Sequence, residues 1–271
     1  MTDPRQPTLF APAGGPNQYD DQAWMSDLSA WGRALPRPRA ILMFSAHWEE
    51  RQVTLGATRT IPLEYDFGGF PDRYYRLTYP SPGAPELAAR LRKLLSGAGL
   101  PVADAPDKAL DHGAWLPLMA LFPKADIPVL QASMPSLDPQ KLFALGEYLA
   151  PLRDEGVLII GAGLLVHNLR AMMEVARSLP GGFDSLATAE IPVPEWVRKF
   201  DAWVADVLAR RDWPALLDYR ARAPGVQKAL PTHEHFAPLL IAAGAGQEGP
   251  VRFPVEGLVH GSTTKRGVQF G

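Results

Sequence analysis

Ala40-Ile41-Leu42-Met43-Phe44-Ser45-Ala46-His47-Trp48 is the stretch that decides the fold, and Tyr65-Asp66-Phe67-Gly68-Gly69-Phe70-Pro71 is the segment read with it. The first is an unbroken apolar run ending in a histidine and a tryptophan, the pattern of a strand buried on both faces. It predicts a central strand over residues 40–46 that delivers His47 to its carboxyl end. In open α/β sheets that end is where ligands bind. The second segment sets aromatics around a Gly-Gly pair, so the backbone can turn sharply beside a bulky wall.

Working outward, Thr8-Leu9-Phe10 reads as a short strand running into a Pro/Gly loop, Ala11 to Pro16. Trp24, Leu28, Trp31 and Leu35 fall at helical spacing before Pro36. Residues 52–58 are a candidate neighbouring strand. Pro85 to Leu95 is an amphipathic helix closed by Gly97 and Gly99, and a short helix follows Asp111-His112-Gly113. Buried strands are predicted over Ile127 to Ala132 and Val157 to Ile160, with a helix from Pro139 to Arg153 between them. Helices over Pro194 to Arg210, Trp213 to Arg222 and His233 to Ala243 precede final strands at 251–255 and 267–270. Strands alternating with helices favour a layered α/β sheet over a sandwich or a bundle. With no repeat, low-complexity run or linker, residues 1–271 read as a single domain.

The composition narrows the function classes. A formal net charge of −2 gives no electrostatic reason to expect nucleic acid or an anionic membrane as partner. The absence of cysteine removes thiolate metal sites, disulfides and cysteine nucleophiles. No apolar run is long enough to cross a bilayer, and Met1 to Gln6 lacks the pattern of a signal peptide, so the expected location is the cytoplasm.

Chemistry then rests on six histidines: His47, His112, His167, His233, His235 and His260. His47 ends a strand and His167 lies just past another, so both are candidates for one sheet edge. In Asp111-His112-Gly113 the carboxylate either orients the ring or caps the next helix. His233 and His235, at i and i+2, cannot share a helical face, so at most one faces a pocket. His260 has the weakest claim, and Asp66 reads first as a turn former. There is no His-Glu-x-x-His, no Gly-x-Ser-x-Gly elbow and no phosphate loop; Gly161-Ala162-Gly163 lacks the third glycine of a dinucleotide fingerprint.

Six motifs in order, Ser45-Ala46-His47-Trp48, Asp66 to Pro71, Tyr79-Pro80-Ser81-Pro82-Gly83, Asp111 to Trp115, Val166 to Arg170 and Glu234 to Leu240, resemble the class III extradiol ring-cleavage dioxygenases of the DOPA-dioxygenase type. These are related to the catalytic subunit of protocatechuate 4,5-dioxygenase. The resemblance spans nearly the whole chain. It implies an α/β fold with a central mixed sheet flanked by helices, and a pocket at one sheet edge holding non-haem Fe(II), or Zn(II), for a catechol and O₂. The family's metal is held by three histidines. Here Ala13 stands in the first ligand position, Tyr65 in the second, and His167 alone remains. Alanine has no donor, and phenolate suits ferric iron rather than Fe(II). Positions matching His112 and His235 line the family's site and serve acid–base or positioning roles; His47 and the Phe67–Pro71 wall are also kept.

The leading expectation is therefore a metal-independent enzyme acting on a small aromatic or ring-derived acid. His112, His167 and His235 would be its acids and bases, and Tyr65 a hydrogen-bond donor where the metal stood. His47, Phe67, Phe70 and Arg170 are expected to bind substrate, with Arg170 or Lys265-Arg266 neutralising a carboxylate. No cofactor is expected on this reading. The alternatives are an extradiol dioxygenase whose Fe(II) or Zn sits on a rearranged set from His47, His112, His167 and His235, and a non-catalytic aromatic-binding or partner subunit. The helix carrying Trp196 and Trp203 leaves room for a homodimer.

Overall fold

The computed structural model describes residues 5–186 and 189–271. Strands and helices alternate from the start: β1 (Thr8–Pro12), α1 (Gln22–Ala34), β2 (Ala40–Glu49), β3 (Val53–Leu55), α2 (Pro85–Gly97), β4 (Val102–Asp104), α3 (His112–Leu121) and β5 (Val129–Met134). The second half runs α4 (Pro139–Leu149), β6 (Val157–Gly163), α5 (Leu169–Ser178), α6 (Glu195–Ala209), α7 (Trp213–Leu217), α8 (Tyr219–Arg222), α9 (Val226–Ala229) and α10 (Ala237–Gly246). It closes with β7 (Val251–Val255), β8 (Leu258–Val259), β9 (Thr263–Thr264) and β10 (Gly267–Phe270).

Eight strands form one mixed sheet in the order β4-β3-β5-β2-β6-β1-β10-β7. Its centre, β5-β2-β6-β1, is parallel, whereas β10 pairs antiparallel with β1 and β7. Side-chain alternation explains the layers. Leu42 and Phe44 of β2 join one apolar cluster, and Ile41 and Met43 join the other. Trp24, Leu28 and Trp31 of α1 and most of α3 cover the second face; α2, α4, α6 and α10 cover the first. A strand with both faces occupied has no room for polar residues until it leaves the sheet, and in β2 that happens at Ser45 and His47. Trp196 and Trp203 of α6 pack against the first cluster of their own chain.

Helix α10 is buried along its whole length, as expected of a helix apolar all round. It approaches β6 and α4 at backbone distance. A Cβ on Gly161 would lie 2.2 Å from the Pro238 carbonyl oxygen, and one on Gly163 2.2 Å from that of His235. Against α4, Cβ atoms on Gly146 and Gly244 would lie 2.2 Å from the Ile241 oxygen and 2.1 Å from the Phe143 oxygen. The paired glycines of β6 therefore serve packing, not phosphate binding.

The expected elements are present; β4, α9, β8 and β9 were not expected, the helix expected over Pro139 to Arg153 is α-helical only to Leu149, and three further differences bear on the site. The last long helix begins at Ala237 rather than His233, because Pro238 occupies its first turn, where no amide hydrogen is needed. The helix expected over Trp213 to Arg222 breaks into α7 and α8 at Asp218. Helix α5 was not expected; its N-cap is Asn168, whose side chain accepts from the Ala171 amide. Among the described residues no helix is long and apolar enough to cross a membrane.

Gly161→Ala forces α10 off β6 and is expected to lower unfolding stability by about 1–3 kcal/mol in urea melts. Gly68→Ala, with nothing within 4 Å of the added carbon, is the control and should stay within about 0.5 kcal/mol. An unchanged midpoint for the first variant would refute the contact.

Candidate active site

The carboxyl ends of β1, β2 and β6 open onto a cavity of about 490 Å³. Its walls are the Gly14–Asn17 loop, Trp24, Phe67, Phe70, Leu164, Met172 and Phe183, with His47, His112, His167, His235 and His260 among the lining residues. The ends of parallel strands thus converge on one place, where an aromatic wall meets a cluster of imidazoles.

Asp66 organises the first half of the cluster. His112 Nδ1 donates to its Oδ1 at 2.8 Å, the His112 amide donates to the same oxygen at 2.8 Å, and His47 Nδ1 donates to Oδ2 at 3.0 Å. Burial acts to raise the Asp66 carboxyl, but these bonds and the His112 charge outweigh it and hold it far below the usual carboxylate range. Of the two roles the sequence leaves open to Asp111, orienting the His112 ring falls to Asp66. Asp111 instead caps α3 by accepting from the Ala114 amide at 3.1 Å and the Ser45 hydroxyl at 2.6 Å. Gly113 lets this turn close: a Cβ there would lie 2.5 Å from Ser45 Oγ and 3.3 Å from His47 Nδ1.

Glu234 organises the second half. Its Oε1 lies 3.5 Å from His167 Nδ1 and accepts from the Thr232 hydroxyl at 2.9 Å. Burial acts to raise this carboxyl, yet His167, the backbone and Thr232 bring it down to about 2. The His167 ring stacks on that of His235 with centroids 3.6 Å apart and planes 16° apart. The halves meet where His47 Nε2 stands 3.3 Å from His235 Nε2. Their environments push them apart in acidity. Burial, then the charges of His167, His47 and His112, drives His235 well below its ordinary value. Burial acts the same way on His47, but Asp66, Asp111 and Glu234 outweigh it and raise that ring.

Of the residues expected in the site, His47, Phe67, Phe70, His112, His167 and His235 line this cavity. Two do not. Tyr65 turns away: its ring packs with Phe67, Tyr75 and Trp115, and its hydroxyl donates to the Leu77 carbonyl at 2.7 Å. It cannot stand in for a metal. Arg170 lies on the outer side of α5, 90% exposed and paired with Glu174. Ala13 is buried and holds its place through a backbone bond to Gly163. Beside His167, expected as the one remaining ligand of the family's set, the described residues include two groups that could hold a metal ion, His47/Asp66/His112 and His167/Glu234/His235.

Glu234 and Trp24 carry no site role in the sequence reading, where Asp66 reads as a turn former and His260 has the weakest claim of the histidines; the structure brings all four to the site. His260 sits on the β8–β9 turn with a left-handed backbone (φ 54°), its ring 5.9 Å from that of Trp24 and its Nε2 3.8 Å from Asp21. Its distance in sequence from every other site residue left no local signal, whereas Glu234 and Asp66 stood beside histidines that were singled out. His233 faces Tyr219, outside the cavity.

A mixed α/β sheet with an aromatic, histidine-lined pocket at its parallel strand ends defines the class. Residues 6–271 match the family described as the catalytic LigB subunit of aromatic ring-opening dioxygenase, and the chain belongs to that family. It is 39% identical over 276 residues to the "4,5-DOPA dioxygenase extradiol" of Escherichia coli (strain K12), covering 100% of this chain and 97% of that protein. It is also 39% identical over 247 residues to the protein of that name from Beta vulgaris, covering 89% and 87%. The crystal structure of an uncharacterized protein from Escherichia coli K12 superposes with a TM-score of 0.77 at 32% identity, over 98% of this chain and all of that one.

Both site carboxylates titrate below their ordinary values, so their contribution to stability is fully present above about pH 4.5 and is lost as pH falls toward 2. Asp66→Asn is expected to cost about 2 kcal/mol at pH 7 and to flatten the fall in melting temperature between pH 5 and pH 3. Parallel melting curves for variant and wild type across that range would contradict it.

Proposed function

We propose that the chain binds a small aromatic substrate in this cavity and moves protons on it with its own histidines, without a metal on positions 13, 65 and 167. The observation behind this reading is the His47–His235 pair: two imidazole nitrogens 3.3 Å apart whose surroundings favour the protonated ring in one and the neutral ring in the other. Titratable neighbours pushed apart in this way are assigned as acid and base. Phe67 and Phe70 supply a wall for a planar ring, and the His167–His235 stack a second flat surface.

The simplest step is keto–enol tautomerisation. His235 Nε2 accepts a proton from the carbon beside a carbonyl while His47 Nε2–H donates one to the carbonyl oxygen. A C–H bond breaks and an O–H bond forms, and neither oxidant nor reductant is needed. Asp66 keeps the His47 Nδ1 hydrogen in place, so that Nε2 is the nitrogen facing the substrate. His112, tied to the same carboxylate, and His167, tied to Glu234, steady the two halves.

A second reading has specific support. Ligand nitrogens about 2.0–2.1 Å from a tetrahedral ion stand about 3.3–3.4 Å apart, which is the His47–His235 spacing. His47, His167 and His235 have Nδ1 oriented by carboxylates or buried, an arrangement that fits a divalent cation although the family's own positions 13 and 65 do not. A cation there would polarise a substrate oxygen as a Lewis acid.

The test is deuterium uptake at the benzylic carbon of 4-hydroxyphenylacetone in D₂O, followed by NMR on chelator-treated protein whose metal content has been measured. Catalysed exchange with less than about 0.1 metal per chain is expected, falling roughly 10²–10⁴-fold in His235→Ala and in His47→Ala. Absence of catalysed exchange overturns the proposal. Exchange lost on chelation and restored by Fe(II) or Zn(II) establishes the second reading.

A further inference from the structure

The cavity is larger than one aromatic ring needs, and its walls change character along its length. A void of about 150 Å³ is enough to admit benzene. This one measures about 490 Å³. Its floor is imidazole, with His112 and His235 buried. Its mouth is apolar and open: Leu169 and Phe183, both lining residues, are 54% and 37% exposed. Large apolar side chains gathered in water at the rim of a pocket mark surface that a ligand covers.

A line of aromatic rings joins floor to mouth. The Phe67 ring stands 5.3 Å from that of His112, Phe70 5.6 Å from Phe67, and Phe183 6.4 Å from Phe70. Successive planes are tilted or perpendicular, so that ring edges meet ring faces, and a further aromatic ring can join such a series where a saturated one cannot. Gly15 keeps the space beside Phe70 open. Its backbone (φ −68°, ψ 171°) is one that any residue adopts, so the turn itself does not require glycine. A Cβ there would lie 3.8 Å from Phe70 Cζ, and the one closer atom, Asn17 Oδ1 at 3.1 Å, ends a side chain that can rotate. Helix α5 supplies the outer wall. Only its Ala176 is buried, and Leu169 and Met172, three apart on one face, line the cavity.

We propose that Gly15, Phe70, Leu169, Met172 and Phe183 form a second subsite for an aromatic ring, so that the substrate is a two-ring aromatic with one ring at the histidines and the other at the mouth. This deepens the function proposed above and rests on the same pocket.

Three probes discriminate, titrated calorimetrically into the full chain at pH 7: phenol, 4-phenylphenol and 4-cyclohexylphenol. 4-Phenylphenol is expected to bind about tenfold tighter than phenol or better. 4-Cyclohexylphenol, of similar outline and more apolar, is expected to bind less tightly than 4-phenylphenol. Phe183→Ala removes a wall of the subsite and Gly15→Leu fills it, and each is expected to lower the ratio between 4-phenylphenol and phenol by about threefold or more. A smaller wild-type ratio, no binding by either phenol, a cyclohexyl probe as tight as the phenyl one, or a ratio that neither variant lowers overturns the inference. The wild-type ranking and the second variant stand even if one variant fails to fold. None of the probes has a carbonyl, so the ranking can hold while the exchange assay fails, or fail while exchange persists, and the two proposals fall separately.

Discussion

Bare backbone contact between β6 and the segment leading into α10 fixes everything else in the site. Gly161 and Gly163 present no side chains, so the Pro238 and His235 carbonyls lie directly on the strand, and the Leu164 amide donates to the His235 oxygen at 3.1 Å. His235 is thereby set beside His167, which leaves the same strand end. Close packing of this kind resists sliding, because any shift brings carbonyl oxygens into collision with backbone rather than with a side chain that can rotate. The rigid seam also explains how a deeply buried imidazole whose Nδ1 has no partner can be held in one place.

The remaining geometry follows from pairing each ring with a carboxylate. Asp66 and Glu234 come from loops, but each is tied down: Asp66 by three donors from β2 and α3, and Glu234 by Thr232 and His167. Carboxylates so placed fix tautomers and orientation together. The chain belongs to a family of aromatic ring-opening dioxygenases, and Ala13 and Tyr65 are not among the residues that line its cavity.

Much of this was legible in the sequence. The apolar run at Ile41–Phe44 and the histidine that ends it announced both the central strand and the edge carrying the site. The glycine-closed helix over 85–95 and the strand over 157–160 were readable from apolar pattern and punctuation, and the structure extends them to 97 and 163. What escaped had physical reasons. Tyr65 looked like a functional substitute because its position was judged in line, while its ring is claimed by a cluster assembled from Phe67, Tyr75 and Trp115. Arg170 stands three residues from a site histidine but begins a helix that turns it outward. Asp66 resembled a turn former because its partners lie 19 and 46 residues away, a distance no local pattern encodes. His260 reaches the cavity only because the β8–β9 turn folds back over Trp24.

The shared acceptor couples the effects of substitution. One carboxylate serves a ring on β2 and a ring on α3, so both histidines depend on the same anchor. Replacing one ring frees an oxygen that the other inherits, so the two losses do not add. Substitution of Asp66 releases both rings in one event, a heavier single change for the geometry of the pocket than the loss of either ring's bond alone.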